Sequence, residues 1–187
     1  LAALLGMAFL IYALMLWTAL DLLAAPARAA AAHARRLGTA LVVLVFVMVL
    51  SGALVAGIRA GFAYNTWPLM NGQWIPGEIL LIEPWWDNFV HNMATVQFDH
   101  RAIAYVIVAL TIVTWLRLRA APGDARARRW GHAMLLVVAL QVCLGIATLL
   151  LRVPVPLAAL HQAGAVMVFT CALGLRHAMR AAGRLQK

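Results

Sequence analysis

The sequence predicts an all-α polytopic membrane protein with five transmembrane helices, the last four forming a four-helix bundle. Of its 187 residues, 65% are hydrophobic and 11% charged, with a mean hydropathy of +0.91. Soluble chains hold roughly 45–50% apolar and ~25% charged residues. The apolar residues collect into five runs, and about 20 of them in a helix cross a bilayer core of about 30 Å. Basic residues fall in short segments between the runs, as membrane topology requires. The net charge of +9 therefore reads as topology, and no nucleic-acid partner is expected. Cys143 and Cys171 both lie inside apolar runs and read as small core residues.

Leu1–Leu20 carries no charge and is the first span. The chain opens inside this run without a basic leader, so it reads as cut within a helix rather than as a signal peptide. Asp21 ends the run, and Pro26, Arg28, His33, Arg35 and Arg36 form a polar, basic connector. Leu37–Ile58, uncharged for 22 residues, is the second span. The segment 59–94 follows, broken by Pro68, Pro76 and Pro84 and rich in aromatics: Phe62, Tyr64, Trp67, Trp74, Trp85, Trp86 and Phe89. Tryptophan and tyrosine favour the headgroup region, which places this segment on the membrane surface, with a short helix near Pro84–Met93.

The uncharged part of the third span, Ala102–Leu116, has 15 residues. That is roughly 22 Å of helix, too short for the core. The helix must start near Thr95, which draws Asp99, His100 and Arg101 into the membrane's outer edge. A basic connector around Pro122-Gly123 leads to the fourth span, Trp130–Leu151. A tight turn at Arg152–Pro156 leads to the fifth, Leu157–Leu175, interrupted only by His161 and Gln162. Twelve of the 15 Lys and Arg lie in 21–36, 117–132 and the tail. The positive-inside rule then puts the C-terminus in the cytoplasm and 59–94 outside.

With that topology, helices three and five both run inward from the outer face. His100 lies about five residues into one, and His161 about five residues past Pro156 in the other, each roughly 7–8 Å down. Two imidazoles at one depth on different helices of a bundle suit axial ligation of a haem iron, giving a haem-binding four-helix bundle. Small residues a flat porphyrin needs are at hand in Gly164, Ala165 and Ala104, and in Gly52, Ala53, Ala56, Gly57, Gly145 and Ala147. The same residues also serve plain helix packing, and an interfacial histidine also serves as a hydrogen-bonded structural group. Arg101 has three candidate partners: a haem propionate, Asp99 or a lipid phosphate. Gln162, beside His161, is a further candidate for the site. His33, His132 and His177 read as solvated, and His91 as a surface group rather than an extra ligand. Neither Cys-x-x-Cys-His nor a Gly-rich phosphate loop occurs.

Several motifs resemble the haem A synthase family of proteobacteria and mitochondria. They are Gly52-Ala53-Leu54-Val55-Ala56-Gly57-Ile58-Arg59-Ala60-Gly61, Tyr64-Asn65-Thr66-Trp67-Pro68-Leu69-Met70 with Gly72, Val96-Gln97-Phe98-Asp99-His100-Arg101, and His161-Gln162-Ala163-Gly164-Ala165. The resemblance implies an eight-helix inner-membrane protein of two similar four-helix halves. Residues 1–24 would be the last helix of a truncated N-terminal half, and 37–178 the C-terminal bundle. It also implies oxidation of the haem O methyl group to the formyl of haem A, for cytochrome oxidase assembly. His100 and His161 would hold a haem b cofactor, while a catalytic glutamate and most of the substrate site would lie in the missing half. The fragment would bind haem without turnover. Haem O synthase and cytochrome oxidase assembly proteins are the implied partners, beside the lipid bilayer; the electron donor or acceptor is left open. One departure is Leu4, which aligns where the family has a substrate-side histidine. The alternatives are an electron-transfer cytochrome b subunit without haem-modifying activity, and a structural subunit whose histidines only hydrogen-bond. A prenyltransferase is disfavoured, since six acidic residues leave little room for its Asp-rich motifs.

Overall fold

In the computed structural model, residues 2–23, 32–120 and 125–180 are described. The Pro26/Arg28 connector, the Pro122-Gly123 turn, Leu1, Arg184 and Lys187 lie outside them. Five long helices, α1 (Ala2–Leu23), α2 (Ala32–Gly57), α5 (Met93–Ala120), α6 (Ala125–Leu150) and α7 (Val155–Ala178), are long and apolar enough to cross a membrane. Two helical turns, α3 (Ala60–Ala63) and α4 (Asn88–His91), lie in the Trp-rich segment, the second preceded by a 3-10 turn at Trp85–Asp87. This is the short surface helix expected near Pro84.

The long helices outrun the uncharged stretches. α2 takes in Arg35 and Arg36, and α6 takes in Arg126, Arg128 and Arg129. Arginine is a good helix former, and its long stem lets the charge reach polar surroundings from a helix end. At the other end, Asn92 starts α5. Its Oδ1 accepts from the amides of Ala94 (2.9 Å) and Thr95 (3.2 Å), so the helix begins two residues before Thr95.

α2, α5, α6 and α7 form a closed ring in which each helix packs on two neighbours, and α1 lies outside against α2 and α7. α1, α5 and α7 run parallel, with α2 and α6 opposed. The turn between α6 and α7 closes through Val153 N to Thr148 O (2.8 Å) and Arg152 N to Leu149 O (3.1 Å). Arg152 and Val153 there hold left-handed φ angles of 61° and 56°. Such a conformation is strained for a β-branched residue.

The tight core sits towards the basic end, built from Leu41, Val45, Met134, Val138, Phe169, Ala172 and Leu175. Phe9 of α1 joins it against the Phe169 ring at 5.3 Å. Large apolar side chains such as Leu14, Val43, Val106, Leu136 and Leu140 remain exposed on the helices' outer faces. Facing lipid, such surfaces have no drive to be covered.

The basic end corrects one expectation. His177 is not solvated but fully buried, with its Nε2 2.9 Å from Asp21 Oδ1 and its Nδ1 2.8 Å from Arg126 Nη2. A guanidinium only donates, so Nδ1 accepts from Arg126, while Nε2 stands between the Asp21 carboxylate and Arg180 Nη1 at 2.7 Å. Arg180 also pairs with Asp21, and Trp17 stands edge-on to the imidazole at 5.0 Å. α1, α6 and α7 are thereby tied at one point. Of the two free cysteines, Cys171 is core as expected, whereas Cys143 is exposed.

Candidate functional site: a pair of imidazoles at the Trp-rich end

His100 is the eighth residue of α5 and His161 the seventh of α7. Both lie about 9–10 Å along their helices, deeper than the sequence alone implies because α5 starts at Met93. The depths still match.

Each ring rests on a glycine of the neighbouring helix. A Cβ on Gly52 of α2 would stand 3.2 Å from His100 Cε1. A Cβ on Gly145 of α6 would stand 2.8 Å from His161 Cε1 and 3.4 Å from both ring nitrogens. Any larger residue at 145 would push the ring aside. The two seats lie on opposite seams of the ring of helices, α2 with α5 and α6 with α7. Of the glycines that the sequence offers, Gly52 and Gly145 face the histidines, Gly57 has nothing within 4 Å, and Gly164 faces Gln141.

The rings are held differently. His100 Nδ1 is 3.3 Å from Ser51 Oγ; with Nδ1 as donor, Nε2 keeps the lone pair a metal ligand needs. His161 Nδ1 is buried with no partner. Its backbone carbonyl instead accepts from Gln141 Nε2 at 2.7 Å. Neither Ser51 nor Gln141 stands out in the sequence; the one clue was a lone glutamine in the apolar run of α6.

Arg101 turns from Asp99 to the backbone. Its Nη2 donates to the carbonyls of Tyr64 (3.0 Å) and Thr66 (2.9 Å), and its Nη1 to those of Pro68 and Leu69 (both 3.4 Å). The residue after His100 thus fixes the Trp-rich segment over this end of the bundle, while Arg101 Nε is buried and unpartnered. Below it the segment is wired by Asn88, fully buried and bonded to Ile82 and Trp85, and by Asn92 to the Glu78 carbonyl. Burial pushes the Tyr64 phenol above its ordinary pKa, and the adjacent Glu78 carboxylate adds to the rise. Trp74, Trp85 and Trp86 remain exposed on the segment. Gln162 is exposed, and His91 makes a surface pair with Asp87 at 2.8 Å. Leu4 is 78% exposed on α1 and takes no part in the pair.

The donor set fits a haem. A porphyrin supplies the other iron ligands, so two axial imidazoles suffice, and the described residues bring together no group of three or more His, Cys, Asp or Glu for a bare ion. The unpartnered Nδ1 of His161 and the close approach of Gly52 and Gly145 to the two rings are compatible with such a group.

Residues 1–173 match the cytochrome oxidase assembly protein family. The chain is 53% identical over 185 residues to a Nitrosospira multiformis protein named heme A synthase, covering 96% of this chain and 52% of that one. It is 46% identical to the Nitrosomonas eutropha protein of that name, over 92% of this chain and 50% of the relative. To the one from Paracoccus denitrificans it is 44% identical, over 96% and 49%. The chain thus spans about half the length of these curated relatives. No solved structure matches it significantly.

Proposed function

Since the chain belongs to the cytochrome oxidase assembly protein family, we propose that it is the cofactor-binding half of a haem A synthase. The whole protein would oxidise the methyl group of haem O to the formyl of haem A, for cytochrome oxidase assembly. One observation carries the assignment: His100 and His161 stand at one depth on two helices of a ring, each against a glycine of the neighbouring helix.

Methyl-to-formyl oxidation adds an oxygen atom, drawn from water or dioxygen, so electrons have to pass between the reacting centre and an external acceptor or donor. A haem b held by the two imidazoles would supply the one-electron carrier for them. The chain's own residues supply its setting. Ser51 engages His100 Nδ1 and leaves Nε2 free, Gln141 bonds the backbone of His161, and Gly52 and Gly145 let both rings lie close to the facing helices. Arg101 keeps the Trp-rich segment closed over this end and limits water there. We rest the ligand assignment on the two histidines; Arg101 is committed to backbone carbonyls, and Gln162 is exposed.

The distribution of arginines supports an inner-membrane orientation with 59–94 outside and the C-terminus in the cytoplasm. α1 packs outside the ring, which supports assigning it to the other half of the protein. The catalytic groups and the haem O site are expected in that half, so the chain alone would bind haem without turnover.

The test has two arms. The protein purified in detergent should carry a low-spin haem spectrum, lost in His100→Ala and in His161→Ala; no haem in the unmutated protein refutes the site. Deleting the gene should abolish haem A in the source membranes. Haem bound but haem A undiminished would favour the electron-transfer cytochrome b reading instead.

A further inference from the structure

His161 lies seven residues before the buried stretch of α7 begins at Val168, and its buried Nδ1 has no partner. Something other than a ring hydrogen bond must hold it. Its carbonyl already lies within the helix, where it can accept from the amide four residues on. A carbonyl oxygen has two lone pairs, and the second takes Gln141 Nε2 at 2.7 Å. That is at the short end of the N–H···O range.

The other end of the same amide is seated closely too. Gln141 Oε1 occupies the space where a Cβ on residue 164 would be, so any larger residue at 164 displaces the amide from this position. Gln141 and Gly145 are four residues apart on α6 and share a face. One turn of α6 therefore makes two contacts with one residue of α7: Gln141 holds its backbone, and Gly145 receives its ring. In lipid, a primary amide has few partners, and leaving it unpaired is costly. A glutamine in an apolar helix, with glycine cut out opposite it, is a specific pairing rather than general packing.

We propose that Gln141 is a positioning residue for His161, setting where the imidazole nitrogen meets the haem iron, with Gly164 as its required counterpart. This rests on the assignment of His161 as a ligand. His100 is set through its ring by Ser51, whereas His161 is set through its backbone by Gln141. The two ligands are therefore tuned from different elements.

The experiment uses Gln141→Met, which keeps length and volume but removes the donor, and Gly164→Ala, which displaces the amide while leaving it present. Each is purified with its native haem and compared by haem titration, low-temperature EPR and redox titration. Both should weaken haem binding by about 10-fold, in the range for lost outer-shell partners. Both should also shift the low-spin g-values and the midpoint potential in the same direction. The double variant should be no worse than the more severe single one, because the two changes break one contact. A purely structural interhelical bond would lower thermal stability and leave the spectrum and potential of the retained haem unchanged; that result overturns the proposal. So does wild-type affinity in Gln141→Met. Absence of haem from the unmutated protein would instead overturn the ligand assignment itself, and this proposal with it.

Discussion

Gly145→Ala is the sharpest perturbation of the site, because it adds one methyl group at a known place. The new Cβ would lie 2.8 Å from His161 Cε1. Ordinary contact begins near 3.4 Å, so the ring has to retreat by about 0.6 Å or more. The backbone of His161 is bonded to Gln141, which leaves side-chain rotation as the main escape. A rotation of ~30° off a rotamer costs about 0.5–1.5 kcal/mol, and metal–ligand distances tolerate only about 0.2 Å. Iron ligation by His161 should therefore fail or weaken at least about 10-fold. Gly52→Ala is the matched control. Its Cβ would stand 3.2 Å from His100 Cε1, a shortfall of about 0.2 Å that a small tilt absorbs, so its effect should be several-fold smaller. Alanine also favours the helix by about 1 kcal/mol over glycine, so neither variant should unfold. The assay is haem stoichiometry and the low-spin absorbance of the purified proteins. Equal spectra in Gly145→Ala and the unmutated protein, or greater damage from Gly52→Ala, would refute the seating of the rings on these glycines.

Two further outcomes follow from the polar clusters at the ends of the bundle. Asp21→Ala removes the carboxylate from the fully buried His177 and leaves its ring between Arg126 and Arg180. Asp21 itself is 44% exposed, so its charge adds little; losing the hydrogen bond to His177 should cost about 1–3 kcal/mol, read by thermal unfolding in detergent. The haem spectrum should not change, because His161 is about 24 Å of helix away; a spectral change would show that the basic end reaches the site. Arg101→Lys exchanges a fork for a point charge and cannot reach four carbonyls. Hydrogen exchange across residues 60–75 should rise by about 10-fold as local opening becomes easier, and unchanged exchange would mean that Arg101 does not hold the segment.

The sequence carried the five spans, their order and the matched histidines, because each depends on a property a linear reading can count. Charge-free length gives the spans, and position from a helix start gives depth. What escaped it depends on a partner far along the chain. His177 looked solvated because it stands among arginines, but Asp21, 156 residues earlier, and Arg126 enclose it. Arg101 looked like an anion binder for the same reason, whereas its partners are carbonyls that carry no sequence signal. Gln141 needs both the His161 carbonyl and the notch at Gly164 to be recognised. Helix ends were misjudged by up to five residues wherever arginine continued a helix or Asn92 capped one, since charge marks where apolarity ends rather than where hydrogen bonding does.

The ring of helices resolves into two pairs, and each pair carries a complete half of the candidate site. α2 with α5 holds His100, Gly52 and Ser51; α6 with α7 holds His161, Gly145 and Gln141. Within a pair, close backbone approach and one polar bond set the imidazole. Between the pairs, the spacing of the two imidazoles is left to the contacts of α5 with α6 and of α2 with α7. Those contacts are firmest lower down, where Leu41, Met134, Phe169 and Leu175 are nearly or fully buried. Helices in lipid are held by van der Waals fit and hydrogen bonds, with no hydrophobic drive between them. The apolar core near the basic end is thus where the two pairs are packed together most tightly, while Ser51, Gln141 and the two glycines contact the imidazoles and their backbone at the other end.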